Sequence, residues 1–120
     1  MIIAVDFDGT LCSWHPGEYE KAQPLPERVE RIRRIKASGH TIWIYTARGG
    51  SLGSEAAADA RWGELTRRQL ADWGIPYDRL IIGKPPFDAL IDDRAVAFTE
   101  DWEAQLAANH KLVQQRQATL

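Results

Sequence analysis

The chain has 120 residues and a formal charge of −2, from 15 lysines and arginines against 17 aspartates and glutamates. This length suits one domain with its own core, so we expect residues 1–120 to form a single domain. The near-neutral charge disfavours a general nucleic-acid binder, which carries a basic excess. Cys12 stands alone and cannot form an internal disulfide or a cysteine-rich zinc site.

The sequence has no apolar run that approaches the roughly 20 residues needed to span a membrane. Its first residues lack the charged start of a secretory signal and reach Asp6 at once. We therefore expect a cytoplasmic protein that does not have a membrane as its partner.

The first predicted element is a strand over Ile2 to Val5, an apolar run of the kind that is covered on both faces. The run ends at Asp6, and the proline-punctuated segment 11–25 that follows predicts a loop. A helix is expected from Pro26 to about Ser38, because apolar residues recur there at helical spacing.

The remaining elements continue this alternation of apolar runs and helical patterns. In chain order they are a strand over 40–45, a helix over about 55–73, strands over 80–82 and 89–91, and a helix over about 100–116. Ser54 and Thr99 suit the caps of the two later helices. The alternation is typical of an α/β fold with a mainly parallel sheet. We expect a Rossmann-like three-layer α/β/α sandwich without a separate cap domain.

Polar side chains follow three of the predicted strands. Asp6, Thr46 and Asp92 each stand just past the carboxyl end of an apolar run. In open parallel sheets, ligands bind outside the carboxyl ends of the strands. The sequence therefore predicts an active site at this edge of the sheet.

Two pairs of carboxylates belong to this predicted site. Asp6 and Asp8 repel each other across one residue, and such a pair suits a nucleophile beside a general acid and base. Taken alone, this pair would more readily be a solvated turn. Asp92 and Asp93 supply the oxygen ligands that Mg²⁺ prefers.

The predicted site also has hydroxyl and cationic groups. The Thr46 hydroxyl can donate to a phosphoryl oxygen, and the Lys84 ammonium can neutralise the charge of a phosphoryl group. Taken singly, they would be a strand cap and a surface lysine. Arg48 and Arg94 lie just beyond predicted strands and are alternative sources of positive charge, or else form surface salt bridges.

The order of these residues, from Ile2 to about Ala95, resembles the haloacid dehalogenase-like superfamily of hydrolases, most of which are phosphatases. The opening motif, Asp-Phe-Asp-Gly-Thr after an apolar strand, is the most specific feature. The resemblance implies that Asp6 attacks phosphorus to form an aspartyl-phosphate and that Asp8 is the general acid and base. It implies that the phosphate-binding residues are Thr46, Lys84, Gly9 and Arg48, and that the Mg²⁺ ligands are Asp6, Asp8, Asp92 and Asp93.

The function implied by the resemblance is a Mg²⁺-dependent phosphomonoesterase with a phosphorylated substrate, such as a sugar phosphate. A phosphotransferase or a polynucleotide 3′-phosphatase would use the same site, and the run Ile91 to Arg94 also occurs in the latter enzymes. A phosphorylatable receiver-like signalling module gathers similar residues. In such modules, however, the acidic pair comes first and Lys-Pro comes last, which is not the order found here.

The lengths of the loops beside the predicted site indicate that no cap domain covers it. Neither the segment after Thr10 nor residues 48–79 can hold a cap domain, so the local lids would be Cys12–Tyr19 and Gly49–Gly53. An open site suits a large substrate, and together with five tryptophans it is consistent with a homodimer. Trp14 and His15 are expected to pack their loop against the domain, and the alternative role is stacking on, or hydrogen bonding to, a substrate.

Overall fold

The computed structural model describes residues 1–99 and 101–119. The strands in these ranges are β1 (Ile2–Val5), β2 (Thr41–Thr46) and β3 (Arg79–Ile82). The α-helices in the same ranges are α1 (Pro26–Ala37), α2 (Glu55–Asp72) and α3 (Trp102–Thr119), and short 3-10 turns lie at Tyr19–Lys21 and Gly50–Leu52. The predicted strand over 2–5 and the predicted helices over 26–38 and 55–73 are thus confirmed within a residue.

The sheet is parallel and has the order β1-β2-β3. Its register pairs Val5 with Ile44 and Thr46 with Ile82, so all three strands end at one edge. The predicted α/β fold with a parallel sheet is confirmed. Asp6 follows β1 at this edge, and Lys84 lies two residues beyond β3.

The helices begin and end where their local chemistry requires it. The Ser54 side chain accepts a hydrogen bond from the Ala57 N–H and so caps α2, as predicted. Pro26 occupies the first turn of α1, where the missing N–H costs nothing. Gly74 follows α2 with a φ of 63°, a left-handed conformation that glycine adopts without strain.

The core lies between the sheet and its helices. Its fully buried apolar side chains include Phe7, Leu11, Ile32, Ile42, Ile44 and Leu70. Each such side chain stabilises the fold by about 2 kcal/mol relative to an exposed position. The predicted apolar stripe of α1 is confirmed, since Val29, Ile32 and Ile35 are buried.

The predicted fourth strand does not form in the part of the chain that the structure describes. Residues 89–91 have no strand conformation, and the prediction is therefore wrong. The physical reason is the short link. Only residues 83–88 separate β3 from this segment, whereas a parallel neighbour normally needs a crossover of about a dozen residues or more.

The chain divides into two compact units, Met1–Pro86 and Phe87–Leu120. The first unit contains the sheet with α1 and α2, and the second contains Asp92, Asp93 and α3. The expected single domain over 1–120 stays a prediction. Among the described helices, none has the length and apolar character required to cross a bilayer.

The second unit has its own local contacts. The backbone N–H of Arg94 donates to Asp92 Oδ1 at 2.7 Å, and the Asn109 amide donates to the Arg94 carbonyl at 2.9 Å. The rings of Phe98 and Trp102 are 5.7 Å apart. The last helix begins at Trp102, after the predicted start near 100, and Glu100 lies outside the described residues.

Asp78 joins the start of β3 to its neighbours. Its carboxylate accepts hydrogen bonds from the Lys36 ammonium at 2.7 and 2.8 Å and from the Ile42 N–H at 2.8 Å. The Lys36 ammonium, with the Ile42 N–H, holds the pKa of Asp78 below its ordinary value of 3.8.

This lowered pKa predicts a pH-dependent contribution to stability. Because the folded state binds the proton less readily, the contribution is complete above the ordinary pKa and is lost as the pH falls through the lowered one. We expect Asp78→Asn to unfold at lower urea concentration than the wild type at pH 7, with the gap shrinking below about pH 4. Lys36→Met is the matched variant and should show a smaller gap of the same kind. A gap that stays constant down to pH 2 would contradict this account.

Candidate active site

The loop after β1 is held in one conformation by backbone hydrogen bonds. The Phe7 carbonyl accepts from the N–H groups of Thr10 and Leu11 at 3.0 and 2.8 Å. Gly9 has a φ of 81°, which favours glycine at this turn. The Arg28 guanidinium donates to the carbonyls of Gly9 and Thr10 at 3.0 and 3.1 Å, so α1 fixes the loop from outside.

Asp6 presents its carboxylate at the carboxyl edge of the sheet. Its side chain is 42% exposed, and the Thr10 hydroxyl donates to Oδ2 at 3.1 Å. The Lys84 Nζ lies 3.4 Å from Oδ1. The structure therefore brings Asp6 and Lys84 together, as the sequence predicted.

Lys84 reaches Asp6 because its backbone continues the pairing between β2 and β3. Its N–H donates to the Thr46 carbonyl at 2.9 Å, just past the end of β3. Its ammonium also lies 5.1 Å from the centre of the Tyr45 ring, within the range of a cation–π contact. The side chain is only 16% exposed, which limits the volume its charge can explore.

Asp8 has a different environment from Asp6. Its side chain is 10% exposed, and both its oxygens accept hydrogen bonds from Arg48, from Nε at 2.8 Å and from Nη2 at 2.9 Å. This bidentate pairing is the strongest geometry that an arginine and a carboxylate adopt. Asp8 Oδ1 also accepts a weaker hydrogen bond from the Cys12 thiol, at 3.5 Å.

Arg48 itself is fully buried, and polar and aromatic groups surround its guanidinium. Nη1 donates to Thr66 Oγ1 at 3.1 Å and to Gln69 Oε1 at 2.6 Å. The ring centres of Phe7 and Tyr19 lie 4.5 and 4.7 Å from the guanidinium carbon. These partners engage most of its donors, so in this structure Arg48 orients Asp8; its predicted phosphate contact stays a prediction.

Thr46 is 1% exposed at the end of β2. Its hydroxyl oxygen accepts from the Arg48 N–H at 3.2 Å, which leaves the hydroxyl hydrogen to be donated elsewhere. The Gly83 N–H donates to the Arg48 carbonyl at 3.1 Å. Thr46 is therefore part of the framework that places both Arg48 and Lys84.

The predicted site residues are only partly assembled within the first unit. Asp6, Asp8, Gly9, Thr46, Arg48 and Lys84 belong to that unit, whereas Asp92, Asp93 and Arg94 belong to the second. The described residues include no group of three or more side chains suited to hold a metal ion. Mg²⁺ needs only one or two protein carboxylates, so the Asp6 carboxylate fits as one ligand.

Several residues of the site were not found by sequence reasoning. Thr66 and Gln69 are buried polar residues one turn apart on α2, and the Gln69 amide donates to the Tyr19 carbonyl at 2.8 Å. Two polar residues at helical spacing beside buried Leu70 were the available signal. The role of Arg28 could not be found in this way. Its partners are backbone carbonyls, which every residue has, so no residue type marks them in the sequence.

The tryptophans divide into packed and exposed ones. Trp73 contacts Phe7 with ring centres 5.8 Å apart, and Trp62 meets Tyr19 edge-on at 4.7 Å. The expectation that Trp14 packs against the domain is wrong, since it is 68% exposed. His15 is half-buried and shares a hydrogen bond with Ser13 at 2.9 Å.

Cys12 is predicted to be chemically inert in the folded protein. Burial, together with the neighbouring Asp8 charge, raises the pKa of its thiol to about 12. Because only the thiolate reacts with disulfide reagents, we expect no labelling of the folded protein at pH 8 and full labelling in urea. Rapid labelling without denaturant would contradict this environment for Cys12.

The buried pair of Arg48 and Asp8 makes a prediction about stability. Arg48→Met leaves the Asp8 carboxylate without its partner, and we expect a loss of about 3 kcal/mol in the free energy of unfolding. Arg67→Met is the matched control. It removes an arginine whose partner Asp59 is on the surface of α2, and such pairs contribute at most about 1 kcal/mol. Equal losses in the free energy of unfolding of the two variants, measured by urea denaturation, would show that the buried pair stabilises the fold no more than the surface pair does.

Comparisons with known proteins place this geometry among known folds. No family model and no curated protein matches the chain. A structural-genomics target from Vibrio cholerae is 29% identical, with a TM-score of 0.78, and the match covers 96% of this chain and 98% of that one.

Two further solved structures are more distant. One is a Pnkp1/Rnl/Hen1 complex, 21% identical with a TM-score of 0.53, whose match covers 77% of this chain and 30% of that one. The other is a heptose bisphosphate phosphatase from B. bronchiseptica complexed with magnesium and phosphate. It is 22% identical with a TM-score of 0.48, and the match covers 74% of this chain and 53% of that one. The chain therefore shares its fold with the Vibrio cholerae protein and with part of the Pnkp1/Rnl/Hen1 complex, while its motifs resemble those of the haloacid dehalogenase-like superfamily.

Proposed function

We propose that this chain is a Mg²⁺-dependent phosphomonoesterase that uses Asp6 as its nucleophile. One observation carries the proposal. Of the two carboxylates after β1, Asp6 is half-exposed with an ammonium 3.4 Å away, while Asp8 is nearly buried and fixed by a guanidinium. The two carboxylates therefore have different environments, which suits two different roles in one reaction.

In the first step, an Asp6 oxygen attacks phosphorus and the bond from phosphorus to the ester oxygen breaks. The leaving alkoxide takes a proton from Asp8, and the phosphoryl group stays on Asp6 as an acyl phosphate. In the second step, a water attacks phosphorus and gives its proton to Asp8. Inorganic phosphate leaves, and Asp6 is regenerated as a carboxylate.

Arg48 determines how Asp8 takes part. Within residues 1–99 and 101–119, the Asp8 carboxylate accepts hydrogen bonds from the Cys12 thiol and the Arg48 guanidinium, and an ionised carboxylate accepts such donors. In this arrangement Asp8 is ready to act as the base in the second step. To act as the acid, it must first take up a proton and release one of its hydrogen bonds from Arg48.

The charges of the reactants require cations at the site. A phosphomonoester dianion and the Asp6 carboxylate repel each other, and Lys84 offsets part of this repulsion. Mg²⁺, when bound, would supply further charge neutralisation, with Asp6 and Asp92 as the residues to hold it. Thr46 and Lys84 are proposed to contact the phosphoryl oxygens, and Asp93 to assist at the metal.

The substrate class follows from the open site. No cap domain covers Asp6 in the described chain, so both sugar phosphates and larger phosphorylated molecules can approach. The run Ile91 to Arg94, which resembles one found in polynucleotide 3′-phosphatases, makes a 3′-phosphorylated oligonucleotide the second candidate substrate. The acidic net charge of −2 disfavours it, because nucleic-acid sites need a basic surface.

The assay that tests this function measures hydrolysis of para-nitrophenyl phosphate with Mg²⁺ and with EDTA. We expect turnover with Mg²⁺ only, none above background in Asp6→Asn, and a loss of about 10²–10⁴-fold in Asp8→Asn. Lys84→Met should lose about 10²–10³-fold, as expected for removal of one group that stabilises charge in the transition state.

Asp59→Asn is the matched control for Asp6→Asn. The Asp59 carboxylate has the same 42% exposure and also pairs with one cation, but it lies on α2 outside the site. It should retain wild-type turnover. Turnover that survives in Asp6→Asn, or that EDTA leaves unchanged, would contradict the proposed chemistry.

Further assays of the wild-type protein distinguish the alternative substrates and the alternative functions. A screen of sugar phosphates and a 3′-phosphorylated oligonucleotide distinguishes the two substrate classes by kcat/KM. A phosphotransferase would transfer the phosphoryl group to an added alcohol faster than to water. A receiver-like module would become phosphorylated by acetyl phosphate without sustained turnover.

A further inference from the structure

We infer that a second copy of this chain completes the active site by adding its segment 87–93 as a strand beside β1. The inference rests on the proposed function, because Asp92 has a role in the site only if the reaction on a phosphate ester needs a second carboxylate to bind the metal. Two features of the chain carry it: an open strand edge in the first unit and an exposed apolar segment in the second.

The open edge is the outer side of β1. In the described chain β1 pairs only with β2, and its sequence Ile-Ile-Ala-Val contains no charge or proline that would blunt an edge. Ile2 at its start is 62% exposed. Exposed apolar edges of this kind pair readily with a further strand.

The exposed segment has the composition of a strand that has not formed. Leu90 is 58% exposed and Ile91 is 100% exposed, directly before Asp92. A pair of large apolar side chains at such exposure is costly unless another surface covers it. The segment therefore has the length and the apolar character to extend the sheet by one strand.

The segment cannot reach the edge of β1 in its own chain as a parallel strand. It would have to cross three strand spacings, about 14 Å, and return along the strands by about 13 Å. The direct line of about 19 Å runs through the sheet, and a path over one face adds roughly 10 Å. The link between Ile82 and Ala89 reaches at most about 24 Å when fully extended, which is too short for the path over one face of the sheet.

The link has even less freedom than its length suggests. The Lys84 carbonyl oxygen occupies the space where a Cβ of Gly50 would lie, and the Pro86 ring is in van der Waals contact with the same space. The first part of the link is therefore packed against the Gly50–Leu52 turn. An antiparallel strand beside β3 would be reachable. It would, however, carry Asp92 to the amino edge of the sheet, far from Asp6.

A second copy removes the length limit. Placed parallel beside β1, its segment would carry Asp92 past the end of Ile91 as β1 carries Asp6 past the end of Val5. Neighbouring strands are about 4.8 Å apart, so Asp6 of one copy and Asp92 of the other would be the two carboxylates available to hold Mg²⁺. Reciprocal exchange in a two-fold dimer would complete two sites at once.

The first test measures the mass of the protein in solution by sedimentation. We expect a dimer for the wild type and a monomer for Ala89→Pro, because proline removes a strand hydrogen bond. Leu52→Lys, which alters another exposed leucine, should stay dimeric. A cooperative thermal transition of Ala89→Pro, at a lower temperature than that of the wild-type dimer, would show that the first unit still folds. A monomeric wild type, or a dimeric Ala89→Pro, would overturn the inference.

The second test mixes two inactive variants, Asp6→Asn and Asp92→Asn, refolded together. If Asp92 acts in the partner's site, half of the dimers are mixed and each has one intact site, which gives about a quarter of wild-type turnover. If Asp92 acts in its own chain, the mixture stays as inactive as the two variants alone. That result, or full activity of Asp92→Asn alone, would overturn delivery of Asp92 by the partner.

The two experiments separate this inference from the proposed function. A wild type that hydrolyses no phosphoester but forms dimers sensitive to Ala89→Pro would support the exchanged strand and overturn the phosphatase. A wild type that turns over as a monomer would support the phosphatase and overturn the exchanged strand.

Discussion

A single buried guanidinium holds this site together. Arg48 belongs to the loop after β2, and its side chain joins the Asp8 loop to the polar face of α2. A charge with no exposure is tolerated only where its donors are satisfied, and here Asp8, Thr66 and Gln69 satisfy them. The conformations of the loop after β1, the end of β2 and α2 are therefore mutually dependent.

This dependence separates the two aspartates. The Arg48 guanidinium holds the Asp8 carboxylate in the interior, whereas the more exposed Asp6 carboxylate contacts the Thr10 hydroxyl and the Lys84 ammonium. A nucleophile must be reachable by the phosphorus atom, and a proton carrier must be held in one place. Both carboxylates lie at the carboxyl edge of the parallel sheet. Asp8 is the more buried of the two because it binds the buried Arg48.

Much of this was predictable from the sequence, because local rules fix the strands and their carboxyl edge. The run Ile2 to Val5 and the cap at Ser54 formed as expected, and Lys84 lies beside Asp6. Arg48 was expected near phosphate or in a surface salt bridge. Its burial depends on Thr66 and Gln69, which are distant in sequence, so no local pattern revealed it.

The segment before Asp92 shows a different limit of sequence reasoning. Residues 89–91 have the composition of a strand, and composition predicts that a segment favours strand conformation. It does not show whether a neighbour lies within reach. The short link from β3 decided against a parallel strand within the chain. Because residues 89–91 have no strand to pair with in the described part of their own chain, we propose that they pair with β1 of a second copy.

The most direct test of the central claim is to identify the residue that carries the phosphoryl group. Asp8→Asn should slow breakdown of the intermediate, so an acid-quenched reaction of this variant with a phosphomonoester is digested and analysed by mass spectrometry. We expect a phosphoryl adduct on the peptide that contains Asp6. Turnover by the wild type with no adduct in either protein, or an adduct on a peptide without Asp6, would contradict it.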